Sequence, residues 1–308
     1  MNQQSVTANS DNKILAGIGL AILATIIWSG NFVVARGVIQ QIPPVGLAFF
    51  RWLLATALIG AIAWKTVRQD IVIIRKSYQY LFWVALTGIA LFNTFVYVAA
   101  HYTPAINLAL VGTTSSPIMA TVLAVIFLKE RLSILRITGI VICVAGILIL
   151  LSKGSIDTLL AFRFSKGDWW VLLGALMFAI YNTLVKRKPV GISALSFLFI
   201  IFLAGTLMLF PFFLIERANA APIQWNTNLF LIILYLGAGT SVVSFLCWNA
   251  AIARLGSART ALFGNLIPIF SSIEAVIFLG EKITGIHIIS AILVFGGLLV
   301  ANLKKSKT

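Results

Sequence analysis

Polar side chains set inside long apolar runs are where chemistry could reside. In hydrocarbon such groups are costly and so usually face a bundle interior or a wet cavity. Trp28 and Asn31 are three residues apart and share one helix face, and Phe178, Tyr181 and Asn182 repeat the combination further along. Asn93 and Tyr97 stand at i and i+4, as do Ser244 and Trp248. An amide or hydroxyl beside an aromatic ring suits a small amphipathic ligand, because the polar group fixes one end while the ring face takes an apolar or cationic part. The alternative for each pair is interhelical packing or a hydrogen bond to a neighbouring helix.

Backbone chemistry adds two positions. Pro117 and Pro268 lie inside apolar runs, and each frees the carbonyl four residues earlier, Thr113 or Gly264, from its helical partner. The hydroxyls of Thr113 to Ser116, and Asn265 in the other copy, are expected to re-satisfy the broken ladder, making both sites gating or kink candidates. Asn265 is also a candidate ligand contact. Glu274 is the one carboxylate well inside an apolar run. Burial disfavours its charged form, so it is a candidate for proton coupling or a structural acid with a partner elsewhere. On a straight helix Glu274 points about 180° away from Asn265. Arg51, near one end of its run, reads as a snorkelling or interhelical cation, and Glu130 and Glu281 read as helix-end charges.

The elements that must hold these residues are helices. Apolar stretches long enough for about 30 Å of hydrocarbon run over approximately 15–38, 45–64, 80–100, 105–128 and 134–151, then 169–185, 194–215, 229–251, 258–279 and 283–301. The segment from Pro117 to Glu130 returns as Pro268 to Glu281, an offset of 151 that also carries Asn31 onto Asn182, Asn93 onto Ser244 and Tyr97 onto Trp248. Five spans per copy is an odd number, so the second copy must be inverted. Inverted helical repeats are how many secondary transporters build one midplane site open to either side in turn. The expected fold is therefore all-α and integral to the membrane, with ten transmembrane helices in two inverted five-helix repeats, 1–151 and 169–308, joined by a hydrophilic linker over 152–168. Helices 1, 3, 4, 6, 8 and 9 are expected to line a cavity, with 5 and 10 as buttresses.

Composition agrees: 60% of the residues are hydrophobic and 10% charged, against roughly 45–50% and 25% in soluble domains. The net charge of +15 does not indicate nucleic acid, because the basic residues sit in connections between apolar runs. Sixteen of the 23 Lys and Arg fall on the side of the N-terminus, which places both termini in the cytoplasm and the linker on the periplasmic side. The first apolar run is too long for a signal-peptide core and reads as a retained span. Cys143 and Cys247 lie inside apolar runs, so no disulfide framework is expected.

Trp28-Ser29-Gly30-Asn31-Phe32, Phe50-Arg51-Trp52-Leu53-Leu54-Ala55 and the paired Pro-to-Glu blocks resemble the EamA family of the drug/metabolite transporter superfamily over essentially the whole chain. The resemblance implies efflux of amino acids, their derivatives or other small metabolites across the bacterial inner membrane. The second copy departs from the first where Trp28 aligns with Ala179 and Arg51 with Phe202. The expected function is export or exchange of a small organic metabolite by alternating access, with a proton or counter-substrate as possible partner and no cofactor or metal. Uptake of an organic cation through an aromatic cage is the alternative. No phosphate-binding Gly-Lys-Ser/Thr run points to ATP, and neither a His-Glu-x-x-His set nor an intramembrane aspartate pair points to a membrane enzyme.

Overall fold

Because a helix satisfies all its backbone groups internally, long apolar runs in this chain become helices and little else. The computed structural model describes residues 3–128, 133–160, 165–185, 187–255, 260 and 263–302. The long helices are α1 (Gln3–Gly37), α2 (Pro44–Lys76), α3 (Tyr78–Ala100), α4 (Ala105–Leu128), α5 (Ile134–Leu151), α6 (Lys166–Val185), α7 (Ala194–Asn219), α8 (227–255), α9 (Ile267–Leu279) and α10 (Gly285–Asn302). A short helix, Ile156–Leu160, lies between α5 and α6. Among the described residues seven helices are long and apolar enough to cross a membrane. Three further apolar helices, Ile137–Leu151, Gly264–Leu279 and Gly285–Val300, are shorter and fall below about 30 Å at about 1.5 Å per residue.

Two departures from hydropathy are visible. Helix α2 continues well past Trp64 through Lys65, Arg68 and Asp70, because hydropathy marks the apolar part of a helix and a polar extension still satisfies its own backbone. Helices α3 and α8 are each interrupted by π-helix, over Leu86–Leu91 and Tyr235–Val243. The 151 offset maps the first interruption into the second, so the repeat extends to backbone irregularities that apolar periodicity does not reveal.

The two copies interlock. α1 packs on α8 and α9, and its counterpart α6 packs on α3 and α4. Each half thus places its first helix against the third and fourth of the other. Counterpart helices run antiparallel where they meet. At one end of the α2–α7 pair the Glu216 carboxylate accepts the Val45 and Gly46 amides at 3.0 and 2.6 Å; at the other, Asp70 accepts the Ser193 amide at 2.9 Å. In the α5–α10 pair the Ser290 hydroxyl donates to the Gly146 carbonyl at 2.8 Å, and Cys143 Sγ reaches the Val294 carbonyl at 3.3 Å. Cys143 and Val294 are themselves counterparts at the 151 offset, which puts that contact on the pseudo-twofold axis. The small residues Gly139, Gly146 and Gly297 therefore serve a close approach within the chain.

Glu281 also acts at a helix end, accepting the Ala105 and Ile106 amides at the start of α4 at 2.7 and 3.1 Å; Glu130 lies outside the described residues. Such carboxylates bind the first-turn donors of a helix and sit at the positive end of its dipole. Glu216→Ala is expected to lower stability by about 1 kcal/mol, the usual cost of losing a cap, seen as a reduced melting temperature in detergent. An unchanged melting temperature would show that water replaces the carboxylate without cost.

Candidate functional site

Arg51 is the centre of the polar interior. It enters on α2 seven residues after Pro44, about 10 Å along the helix, and is only 5% exposed. Its Nη1 donates to Asn31 Oδ1, Asn93 Oδ1 and the Tyr97 hydroxyl, each at 2.7 Å, and its Nε donates to Ser241 Oγ at 3.0 Å. Tyr97 in turn donates to Asn31 Oδ1 at 3.0 Å, and the guanidinium carbon lies 4.7 Å from the centre of the Trp52 ring. All four hydrogen-bonding partners are neutral, and among the described residues Nη2 donates to none. The cluster joins α1, α2 and α3 of one half to α8 of the other. Of the two roles expected of Arg51, snorkelling and interhelical, the geometry is the interhelical one: the side chain turns into the bundle, because four polar partners from three other helices stand at its depth.

The π-helical segments bear directly on this centre. Ser241 lies inside the α8 segment, where the wider turn lets its hydroxyl donate to the Leu236 carbonyl five residues back at 2.9 Å while accepting from Arg51. Asn93 follows the α3 segment by two residues. Such bulges are found disproportionately at functional sites.

Four consecutive residues of α1 spread around the helix and meet four different groups. Trp28 Nε1 donates to the Thr240 carbonyl at 2.9 Å, and its ring lies 5.1 Å from Trp248 and 6.1 Å from Phe245. The Ser29 hydroxyl, 2.6 Å from the Ile26 carbonyl, also reaches Glu274 Oε1 at 2.7 Å. Gly30 leaves room for the Tyr235 hydroxyl, which donates to the Ile27 carbonyl at 2.6 Å; a Cβ there would land on that hydroxyl, 3.4 Å from Glu274 Oε2. Asn31 turns to Arg51. Glu274 Oε2 is buried without a hydrogen-bond partner among the described residues.

The second-half counterparts are arranged differently. Ser244 is buried and donates to the Gly239 carbonyl at 3.1 Å inside the π segment, while Trp248 packs on Trp28. Tyr181 is buried against Gly88, where a side chain would collide with its ring, and is stacked with Phe178, which stacks on Phe92 at 4.5 Å. Asn182 and Asn265 are partly buried. Phe202, standing where Arg51 stands in the first copy, is buried 4.7 Å from Trp52. The pseudo-symmetric positions thus carry one charged cluster and one aromatic cluster.

The prolines also differ. Pro268 opens α9 directly after a 3-10 turn, Gly264–Leu266, and the Gly264 carbonyl accepts the Ile267 amide. The freed carbonyl is met by backbone rather than by Asn265, a correction that follows from the tighter turn. The same turn separates Asn265 from α9, so the straight-helix angle between Asn265 and Glu274 does not apply. Backbone helix continues through Pro117, whose side chain lies outside the described set. The neighbouring Ser115 and Ser116 hydroxyls are buried and unpartnered among the described residues, as is Ser271 on α9.

A helical membrane protein whose two inverted halves meet around buried polar residues has the architecture of a transporter. Comparison with known proteins agrees: the EamA-like transporter family matches residues 15–152 and again 165–303, and this chain belongs to that family. An uncharacterized transporter of Archaeoglobus fulgidus is 28% identical over 93% of this chain and 97% of its own length. A "probable terminal-alkyne amino-acid exporter" of Streptantibioticus cattleyicolor is 22% identical over 94% of each. A "probable amino-acid metabolite efflux pump" of Escherichia coli is 23% identical over 91% of this chain and 93% of its own. One crystal structure superposes with a TM-score of 0.62 over 94% of this chain and 97% of its own, at 19% identity, which speaks to the fold alone.

Proposed function

We propose that this transporter exports or exchanges a small organic metabolite, an amino acid or derivative, across the bacterial inner membrane by alternating access of two five-helix halves. In this reading all ten helices span the bilayer, repeats 1–151 and 169–308 are joined by a periplasmic linker at 152–168, and both termini are cytoplasmic. The observation that carries it is the Arg51 cluster, a polar centre drawn from both halves at their interface. The names of the Streptantibioticus and Escherichia relatives support the amino-acid class. Uptake of an organic cation is disfavoured, because the buried guanidinium has no counter-charge in contact among the described residues and would repel it. Sided thiol labelling tests the arrangement: cysteines at positions 77 and 188 should react from the cytoplasmic face, and reaction only from outside would overturn it.

Within this reading Trp28, Phe245 and Trp248 form an apolar wall near the Arg51 centre, and Asn182 and Asn265 remain candidate contacts. Trp248→Ala is expected to weaken ligand binding by about 0.5–2 kcal/mol, the scale of one aromatic or cation–ring contact. Tyr97→Ala acts by loosening Arg51. Ligand titration of the purified variants checks both; unchanged affinity with a lower melting temperature would assign the two rings to packing.

Glu274 is the proposed proton site. The ionisable group facing it is the Tyr235 phenol on α8, beside Gly30; α4, which also packs on α9, has none over 105–128. A carboxyl group held by one hydroxyl, with no cation in contact among the described residues, is placed to take and release a proton as opening to one side changes its surroundings. In proteoliposomes with an imposed pH gradient the wild-type rate should respond to the gradient. Glu274→Gln, which keeps the Ser29 bond, should transport at one rate with or without it; a retained response would place the coupling elsewhere.

A further inference from the structure

The feature that the transporter reading does not by itself explain is a buried cation with no anion in contact among the described residues. Burial of an ionised group costs several kcal/mol unless a partner of opposite charge offsets it, and an ionisable residue at membrane depth usually marks a substrate or ion path. Arg51 is 5% exposed, and its four hydrogen-bonding partners are two amide oxygens and two hydroxyls. These orient the guanidinium without neutralising it. Among the described residues no carboxylate is among its contacts, and Glu274 is bound to Ser29 on another face of α1.

The distribution of the hydrogen bonds shows which edge is available. Three acceptors crowd Nη1, whereas Nε meets only Ser241 and Nη2 meets nothing among the described residues. The Nε–Nη2 edge presents two parallel N–H groups, the fork that matches a carboxylate. The Ser241 hydroxyl that blocks half of it keeps its own bond to the Leu236 carbonyl at 2.9 Å, so it can yield Nε without being orphaned. One cation with neutral neighbours matches a monoanion; a phosphate dianion calls for more positive charge. The other arginine near this end of α1, Arg36, is committed to the Ala100 carbonyl at 2.7 Å.

Resting on the transporter reading, we infer that the Nε–Nη2 edge of Arg51 anchors the carboxylate of the transported molecule. The substrates are then organic monocarboxylates, amino acids included, with the rest of the molecule directed toward the Trp28–Trp248 wall. Closing the edge on a carboxylate also replaces the Ser241 bond, so substrate loading loosens the link from Arg51 to α8.

The test uses matched probes on the purified full-length protein: phenylalanine, 3-phenylpropionate, phenylalaninamide and phenethylamine, and the leucine series alongside. Acids should raise the melting temperature, since a ligand bound only to the native state stabilises it. Amides and amines should bind at least about 10-fold more weakly, the expected loss of a charge-assisted pair. Arg51→Lys, which keeps the charge without the fork, should bind the acids at least about 10-fold more weakly than wild type. Equal binding of acid and amide, no binding of any acid in the panel, or an unchanged affinity in Arg51→Lys would overturn the inference. If that variant does not fold, the wild-type comparison of acid with amide decides alone. Counterflow separates the two readings: exchange of amides or amines in place of acids leaves the transporter standing and removes the carboxylate anchor, whereas acids that bind but never exchange keep the anchor and remove the transport reading.

Discussion

Arg51→Leu should abolish transport while the protein still inserts and folds. Truncating one partner of a buried, hydrogen-bonded charge pair costs about 2–5 kcal/mol of binding, or roughly 30-fold to several thousand-fold in affinity. Folding responds to two opposed changes. Asn93 Oδ1 loses its donor, at about 1–3 kcal/mol for an orphaned buried group, whereas Ser241 keeps its bond to the Leu236 carbonyl at 2.9 Å and Tyr97 can keep its bond to Asn31 at 3.0 Å. Against this, removing an unneutralised buried charge relieves a desolvation cost of several kcal/mol. Near-normal melting temperature with lost exchange is therefore the expected outcome in detergent and in proteoliposomes. A protein that no longer folds would instead assign Arg51 to holding the bundle together.

Gly297→Leu should give the largest loss of stability. A Cβ at Gly297 would lie 2.6 Å from the Gly139 carbonyl and 2.8 Å from the Cys143 amide nitrogen. Both are backbone atoms of α5, which cannot rotate away as a side chain does, so α5 and α10 must separate. Overpacking of this kind costs typically about 1–3 kcal/mol, and here the whole length of the pair is affected. The adjacent Gly296 is the control, because a Cβ there meets nothing within 4 Å. Melting temperatures should fall sharply for Gly297→Leu and hardly for Gly296→Leu. Equal losses would contradict the facing of α10 described above.

Much of the frame was legible because hydrophobicity and the 151-residue offset are carried by many residues at once. The antiparallel meeting of α2 with α7 and of α5 with α10 is the arrangement that inverted copies would give. Asn31, Asn93 and Tyr97 were legible as candidates from polarity at membrane depth. Their common partner was not, because Arg51 sits close enough to a helix end for its long stem to reach either headgroups or interior, and hydropathy does not say which way it turns. Three polar residues at one depth on neighbouring helices were the signal that could have located it. The π-helical segments were illegible for another reason: a one-residue widening of a helix hardly disturbs apolar periodicity, yet it moves Ser241 onto Arg51. Ser29 and Tyr235 escaped notice because a hydroxyl can bond its own helix, and only the approach of Glu274 and Gly30 shows their use.

Counterflow tests the central claim most directly. Proteoliposomes holding the purified protein, preloaded with an unlabelled amino acid from the panel that binds, are diluted into a trace of the same radiolabelled compound. A carrier that alternates between two faces should accumulate label transiently above its equilibrium level and then lose it, with no overshoot in protein-free vesicles. Binding without any overshoot, in wild-type protein shown to be folded and inserted, would contradict the account.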